Sequence, residues 1–192
     1  MAVILRAADR IAVPWRNRGG ITREVAAHPP QSGLGNFDWR VSLAEVRRGG
    51  PFSSFPGVDR QMALLSGRLE LSISGRDAVS LSSDTAPLSF PGELPVHAEP
   101  RSEPVTDLNV MTRRGRFVAR LTRCRVTAST QVRPEADATL VLALTPLTLR
   151  AADIDANLSA LDAARFDANT ETLTVQSAAA AAAFWLIEIR TA

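Results

Sequence analysis

The feature that most constrains this chain is the alternation of apolar and polar residues at every second position. Trp39, Val41 and Leu43 alternate with Arg40, Ser42 and Ala44, and Leu69, Leu71 and Ile73 alternate with Arg68, Glu70, Ser72 and Ser74. A period of two is the pattern of a strand with one face buried, because successive side chains point to opposite sides of the backbone. The second run breaks at Ser74-Gly75-Arg76-Asp77, which predicts a hairpin turn. A longer extended run spans Phe117 to Thr130, and "ATLVLALTPLTL" and "AFWLIEIR" read as buried strands near the C-terminus. Proline and glycine fall between these runs, at Pro29-Pro30, Gly49-Gly50-Pro51, Pro56-Gly57, Pro91-Gly92, Pro95, Pro100, Pro104, Pro134 and Pro146. Short strands punctuated in this way predict an all-β sandwich or barrel. Only "NLSALDAARF" (157–166) admits a helical reading, and it reads equally as a turn before a strand. The low-complexity "SAAAAAAF" (177–184) runs straight into a strand-like segment, so it is read as small-residue core or the approach to a strand.

Composition removes several function classes. All 22 basic residues are Arg and there is no Tyr, so little can titrate against a net charge of only +2 until high pH. The pI of 9.8 is therefore a weak argument for nucleic-acid binding. Arg113, Arg114, Arg116, Arg120, Arg123 and Arg125 form a basic run, but only Phe117 interleaves with it, and a nucleic-acid groove wants stacking aromatics. A solvated strand face, pairing with acids elsewhere, or one or two Arg facing a pocket each account for the run. The single Cys124 rules out an intramolecular disulfide, and its Arg neighbours would point away from it in a strand. His28 and His97 are the two histidines and both look loop-bound, so no metal site is expected. There is no G-x-S-x-G elbow and no phosphate-binding glycine motif. The longest apolar run, Ala178 to Ile187, is about half a membrane span, and no signal-peptide pattern follows the start. The expectation is a cytoplasmic protein without membrane or nucleic-acid partners and without a cofactor.

The chain divides weakly near residues 110–117, giving an N-terminal unit over 1–116 that holds nearly all the polar signature residues and a plainer one over 117–192. Four polar segments stand out. They are "WRNRGGITRE" (Trp15–Glu24), "FDWRVSLAEV" (Phe37–Val46), "GPFSSFPGVDR" (Gly50–Arg60) and "DLNVMTRRG" (Asp107–Gly115). In extended backbone Trp39 and Arg40 take opposite faces, whereas Asp107, Asn109 and Met111 share one that Arg113 continues. Polar groups at strand positions that a plain sandwich would fill with Val or Thr suggest a partly polar, ligand-holding interior.

In this order and spacing the four segments resemble the HutD/Ves family, across residues 14–115, with the C-terminal third compatible but plainer. Arg18 departs from the family pattern, which usually has Gly or another small residue there. The resemblance implies an all-β, cupin-like jelly-roll β-barrel, with two cupin units in one compact chain. It implies an accessory or regulatory role beside bacterial histidine-utilisation enzymes, with related members linked to stress responses. A small anionic ligand such as urocanate, formylglutamate or formate follows as the expected partner.

A carboxylate is best gripped by a planar Arg fork, and aromatic walls suit an imidazole-bearing acid. Arg60 is the expected principal contact, with Asn17, Arg23, Arg40 and Arg113 in support and Trp15, Trp39 and Phe90 as walls. The alternative is a metal-independent cupin enzyme acting on such an acid, with Glu24, Glu45, Asp59 or Asp107 as acid or base. Against it, Arg neighbours tend to lower a carboxylate's pKa and spoil it as a base. An open strand edge is also compatible with a homodimer.

Overall fold

The computed structural model describes residues 2–102, 104–168 and 170–192, which form strands and a single turn of 3-10 helix at Ala7–Asp9. The N-terminal strands are β1 (Ala2–Leu5), β2 (Ala12–Pro14), β3 (Gly20–His28), β4 (Trp39–Val46), β5 (Gly50–Pro51) and β6 (Val58–Ser66). They are followed by β7 (Arg68–Ile73), β8 (Val79–Ser82), β9 (Leu88–Pro91), β10 (Val96–Pro100), β11 (Val105–Arg113) and β12 (Phe117–Val126). The remainder are β13 (Ser129–Val132), β14 (Ala138–Ala143), β15 (Leu147–Ala151), β16 (Ile154–Leu158), β17 (Ala163–Asp167), β18 (Leu173–Ser177) and β19 (Ala182–Thr191).

The chain separates into two units, one of Arg10–Phe117 and the other of Met1–Asp9 with Val118–Ala192. The first residues therefore belong with the C-terminal unit and not with the N-terminal one of the 1–116 division. The reason is a strand pairing: β1 runs antiparallel to β17, with Ala2 opposite Phe166 and Leu5 opposite Ala163. Arg6 then bonds Asp162 at 2.9 Å, and the Ala7 N–H donates to the same carboxylate at 2.7 Å.

In the Arg10–Phe117 unit, a six-stranded sheet in the order β2-β3-β4-β11-β6-β9 and a four-stranded sheet in the order β5-β10-β7-β8 share one apolar core. Met62, Leu64 and Phe90 of the larger sheet meet Leu69, Leu71, Ile73, Val96 and Ala98 of the smaller. The passage between sheets is made at Gly67, which alone separates β6 from β7. Its φ of +79° is left-handed, and a Cβ there would lie 2.5 Å from the Pro104 carbonyl oxygen, so the corner requires glycine. The predicted hairpin at Ser74–Asp77 joins β7 to β8, closed by the Arg76 N–H donating to Ile73 O at 3.0 Å.

In the second unit a five-stranded sheet (β1-β17-β14-β19-β12) and a four-stranded sheet (β13-β18-β15-β16) enclose a core that includes Val141, Leu149, Phe166, Val175 and Phe184. β14 is buried along its whole length, which accounts for the unbroken apolar run in that part of the sequence. Residues 157–166 take the turn reading: β16 ends at Leu158, Leu161 adopts φ +67°, and β17 begins at Ala163. Residues Ala178 to Ala181 are exposed and lead into β19, the strand-approach reading of the alanine run.

Candidate functional site

The inner face of the six-stranded sheet carries polar side chains where a sandwich core would be apolar. Strand register defines the rows. Arg40 on β4 lies opposite Met111 on β11, which lies opposite Arg60 on β6, which lies opposite Phe90 on β9. The next row runs Glu24, Ser42, Asn109, Met62 and Leu88. Asp107 follows, opposite Ala44 and Leu64. Directly opposed residues in an antiparallel sheet project to the same side, so these side chains share one surface.

Arg60 is the centre of this surface. It is only 6% exposed, and its guanidinium lies over three phenylalanine rings, with centroids at 5.2 Å for Phe52, 5.7 Å for Phe55 and 5.0 Å for Phe90. Its Nε donates to Asn109 Oδ1 at 3.4 Å. Burial lowers the Arg60 pKa to about 10, opposed by the charge of Asp107. Asp107 is 3% exposed, and burial pushes its carboxyl up to about 7, opposed by the charge of Arg60. No side chain among the described residues donates a hydrogen bond to Asp107. The site thus combines a cation in an aromatic cage with a carboxyl group poised near neutrality.

The neighbouring Arg40 is committed within the protein. Its Nε donates to Glu24 Oε2 at 2.8 Å and its guanidinium reaches Ser42 Oγ at 3.2 Å. Arg113 clamps a loop: it donates to the carbonyls of Phe37 at 3.2 Å, Gly35 at 3.4 Å and Pro56 at 3.4 Å, and lies over the Phe37 ring. Trp15 reaches the cage through Phe52, edge-to-face at 6.0 Å, and its indole N–H donates to Thr22 Oγ1 at 2.7 Å.

Three expected site residues lie elsewhere. Trp39 occupies the opposite face of β4 from Arg40 and stacks on His28 at 5.9 Å, so it is no wall of the Arg60 cage. Arg23 lies opposite Leu43, on that same other face, with Glu45 at 3.7 Å. Asn17 is exposed and accepts the Gly19 N–H at 2.9 Å, which makes it a turn-former. Phe52 and Phe55 were missing from the expected walls although they stand in "GPFSSFPGVDR". They lie between β5 and β6, where period-two reasoning assigns no face.

The other carboxylates expected as acid or base are paired at the surface. Glu45 bonds Arg47 at 2.7 Å and Asp59 bonds Arg114 at 2.8 Å. Arg114 also pairs with Glu93 at 2.7 Å, so the basic run is answered in part by acids. Burial, then the charge of Glu188, holds the Cys124 thiol above its ordinary pKa, the opposite of activation. Among the described residues, no group of three or more His, Cys, Asp or Glu is placed to hold a metal ion. Nor is any helix long and apolar enough to cross a membrane.

The family model for HutD matches residues 7–185. The chain belongs to the HutD family. Protein Ves of Citrobacter koseri is 38% identical over 109 residues, covering 56% of each chain. An uncharacterized 21.2 kDa protein in the hutC 3' region of Pseudomonas putida is 34% identical over 119 residues, covering 62% of each. The chain thus spans less than two thirds of the length of these curated relatives. Among solved structures, HutD from Pseudomonas fluorescens SBW25, determined in a formate condition, superposes with a TM-score of 0.84 at 26% identity over 100% of both chains. A cupin 2 conserved barrel domain protein from Leptotrichia buccalis gives a TM-score of 0.62 at 12% identity over 89% of each chain, which places this HutD-family chain among all-β proteins with cupin-fold neighbours.

Proposed function

We propose that this protein is an accessory or regulatory factor of histidine utilisation that binds a small carboxylate in the Arg60 cage. The observation that carries the reading is a buried guanidinium that has aromatic rings around it and, among the described residues, donates one long side-chain hydrogen bond, to Asn109. A buried Arg ordinarily has its donors answered by a carboxylate or by carbonyls, as Arg40 does here and as the half-buried Arg113 does too. A ligand carboxylate would supply that answer, and Asn109 and the Phe52, Phe55 and Phe90 rings would orient its body. Membership of the HutD family and the hut-region relative support the pathway. Urocanate, formylglutamate and formate are the acids proposed. In the same reading each unit is a cupin-type jelly roll, giving a bicupin that works in the cytoplasm, alone or as a homodimer.

Isothermal titration with the three acids at pH 7 tests this. Wild type is expected to bind at least one of them, and Arg60→Met to lose that binding while remaining folded. Absence of binding to all three, or unchanged binding by Arg60→Met, would overturn the site.

One observation favours a second reading, that of a metal-independent enzyme. Burial pushes the Asp107 carboxyl up to about 7, which gives it the poise of a general base; the charge of Arg60 lowers it, as expected, but burial outweighs that charge. Incubation of each acid with the protein, followed by NMR, separates the readings: turnover that Asp107→Asn abolishes would make the protein an enzyme.

A further inference from the structure

We propose that the Arg60 cage takes up its anion together with a proton, which is received by Asp107. This rests on the carboxylate-binding reading above and adds to it a coupling between ligand and pH. Charge balance on a buried face links the two. The charged groups on this inner face are Arg60 from β6, Asp107 from β11, Arg40 from β4 and Glu24 from β3. Arg113, further along β11, is held by carbonyls. Arg40 and Glu24 neutralise one another at 2.8 Å. The core residues of the facing sheet, Leu69, Leu71, Ile73, Leu81, Val96 and Ala98, are apolar. That leaves one positive and one negative charge, on Arg60 and Asp107, and they form no ion pair with each other.

An anion seated on Arg60 would place two negative charges, its own and that of Asp107 two positions along β11 from Asn109, on this buried face against one positive. Burial penalises the surplus charge heavily, and the group able to shed it is Asp107, to which no side chain among the described residues donates a hydrogen bond that would hold it ionised. The step balances simply: the Asp107 carboxylate accepts one proton from solvent as one anion enters, and the net charge of the cage does not change. The poise of Asp107 near 7 places this exchange within the range where a cell's pH varies. Binding and proton uptake are reciprocal by linkage, so acid strengthens binding and base weakens it.

Formate is the probe, because it titrates far below this range and carries no second ionisable group. Formate binding by the full chain is followed by NMR from pH 6 to pH 9, and proton uptake is recorded independently in weakly buffered solution at pH 8. The dissociation constant is expected to rise about tenfold per pH unit above pH 7.5, with up to one proton taken up per formate bound. Asp107→Asn is expected to bind with no such slope. If formate binds wild type with a constant affinity across the range and no proton uptake, the coupling is overturned while carboxylate binding stands. If formate and the larger acids all fail to bind at any pH, both readings fall. The wild-type proton measurement decides the matter even if Asp107→Asn does not fold.

Discussion

Asp107 and Arg60 are buried on one face of neighbouring strands and carry opposite charges, yet they form no ion pair. Each is left to the apolar surroundings, and each has its pKa moved toward neutrality as a result. The burial of Asp107, only partly offset by the charge of Arg60, makes stability depend on pH. An unfolded Asp titrates near 3.9, roughly, whereas folded Asp107 titrates near 7. Between these values the folded state holds the extra proton, so raising the pH lowers stability, and the loss is complete once pH passes the folded value.

Asp107→Asn is therefore expected to remove a pH-dependent loss of the order of a few kcal/mol between pH 5 and pH 8. Urea midpoints at the two pH values measure it. Equal losses in wild type and variant would show that Asp107 is not the group responsible.

The Arg40–Glu24 pair is expected to respond asymmetrically. The Arg40 side chain is 11% exposed and that of Glu24 is 39% exposed. Glu24→Gln strands a cation away from water and is expected to cost about 2–3 kcal/mol. Arg40→Met leaves a carboxylate that water can reach, and its cost is expected to be about half as large. Chemical denaturation of the two variants gives the comparison, and a costlier Arg40→Met would contradict it.

Much of this arrangement was legible in the sequence, and the limits have physical causes. Alternation correctly put Asp107, Asn109 and Met111 on one face and Trp39 opposite Arg40. Trp39 and Arg40 do not share one site, because a strand offers a cavity only one of its faces. That Asn109 lies beside Arg60 depends on the β6–β11 register, a pairing between distant segments that no local pattern encodes. The three-phenylalanine cage was hidden for another reason, since two of its rings come from irregular backbone. At Arg18, where the family resemblance implies Gly or another small residue, φ is +57°, a left-handed conformation that favours glycine.

Arg18→Gly is accordingly expected to be neutral or to stabilise by up to about 1 kcal/mol, since relief of the backbone is offset by the freer unfolded chain. Carboxylate binding should not change. Thermal melts of the variant check this, and a clear destabilisation would indicate a side-chain role for Arg18.

Two residues on, Gly20 is expected to tolerate nothing larger. A Cβ there would meet the Glu45 carbonyl oxygen and the Trp15 indole. Gly20→Ala should cost at least about 2 kcal/mol, in the range of an overpacked core, and loosen Trp15 against Phe52. Tryptophan fluorescence and a denaturation curve together read both effects.

Asp162 should be the most sensitive single carboxylate in the second unit. Burial works against its charge, but hydrogen bonds from Ala7, Arg6 and Ser159 outweigh that and hold its pKa below the usual value. Its contribution is thus present at neutral pH and is lost as acid protonates it. Asp162→Ala is expected to cost about 3 kcal/mol at pH 7, with two backbone N–H groups left unanswered. Hydrogen exchange at Ala7 and Ser159 would report the same loss locally.

The pairing of β1 with β17 also has a temporal consequence. On a ribosome the segment Ala2–Leu5 emerges about 160 residues ahead of its partner, a wait of roughly ten to thirty seconds at ordinary synthesis rates. The Arg10–Phe117 segment, with the Arg60 cage, is complete well before that partner is made. A strand made early is thus placed late, and until β17 is made it waits as an apolar edge without its sheet.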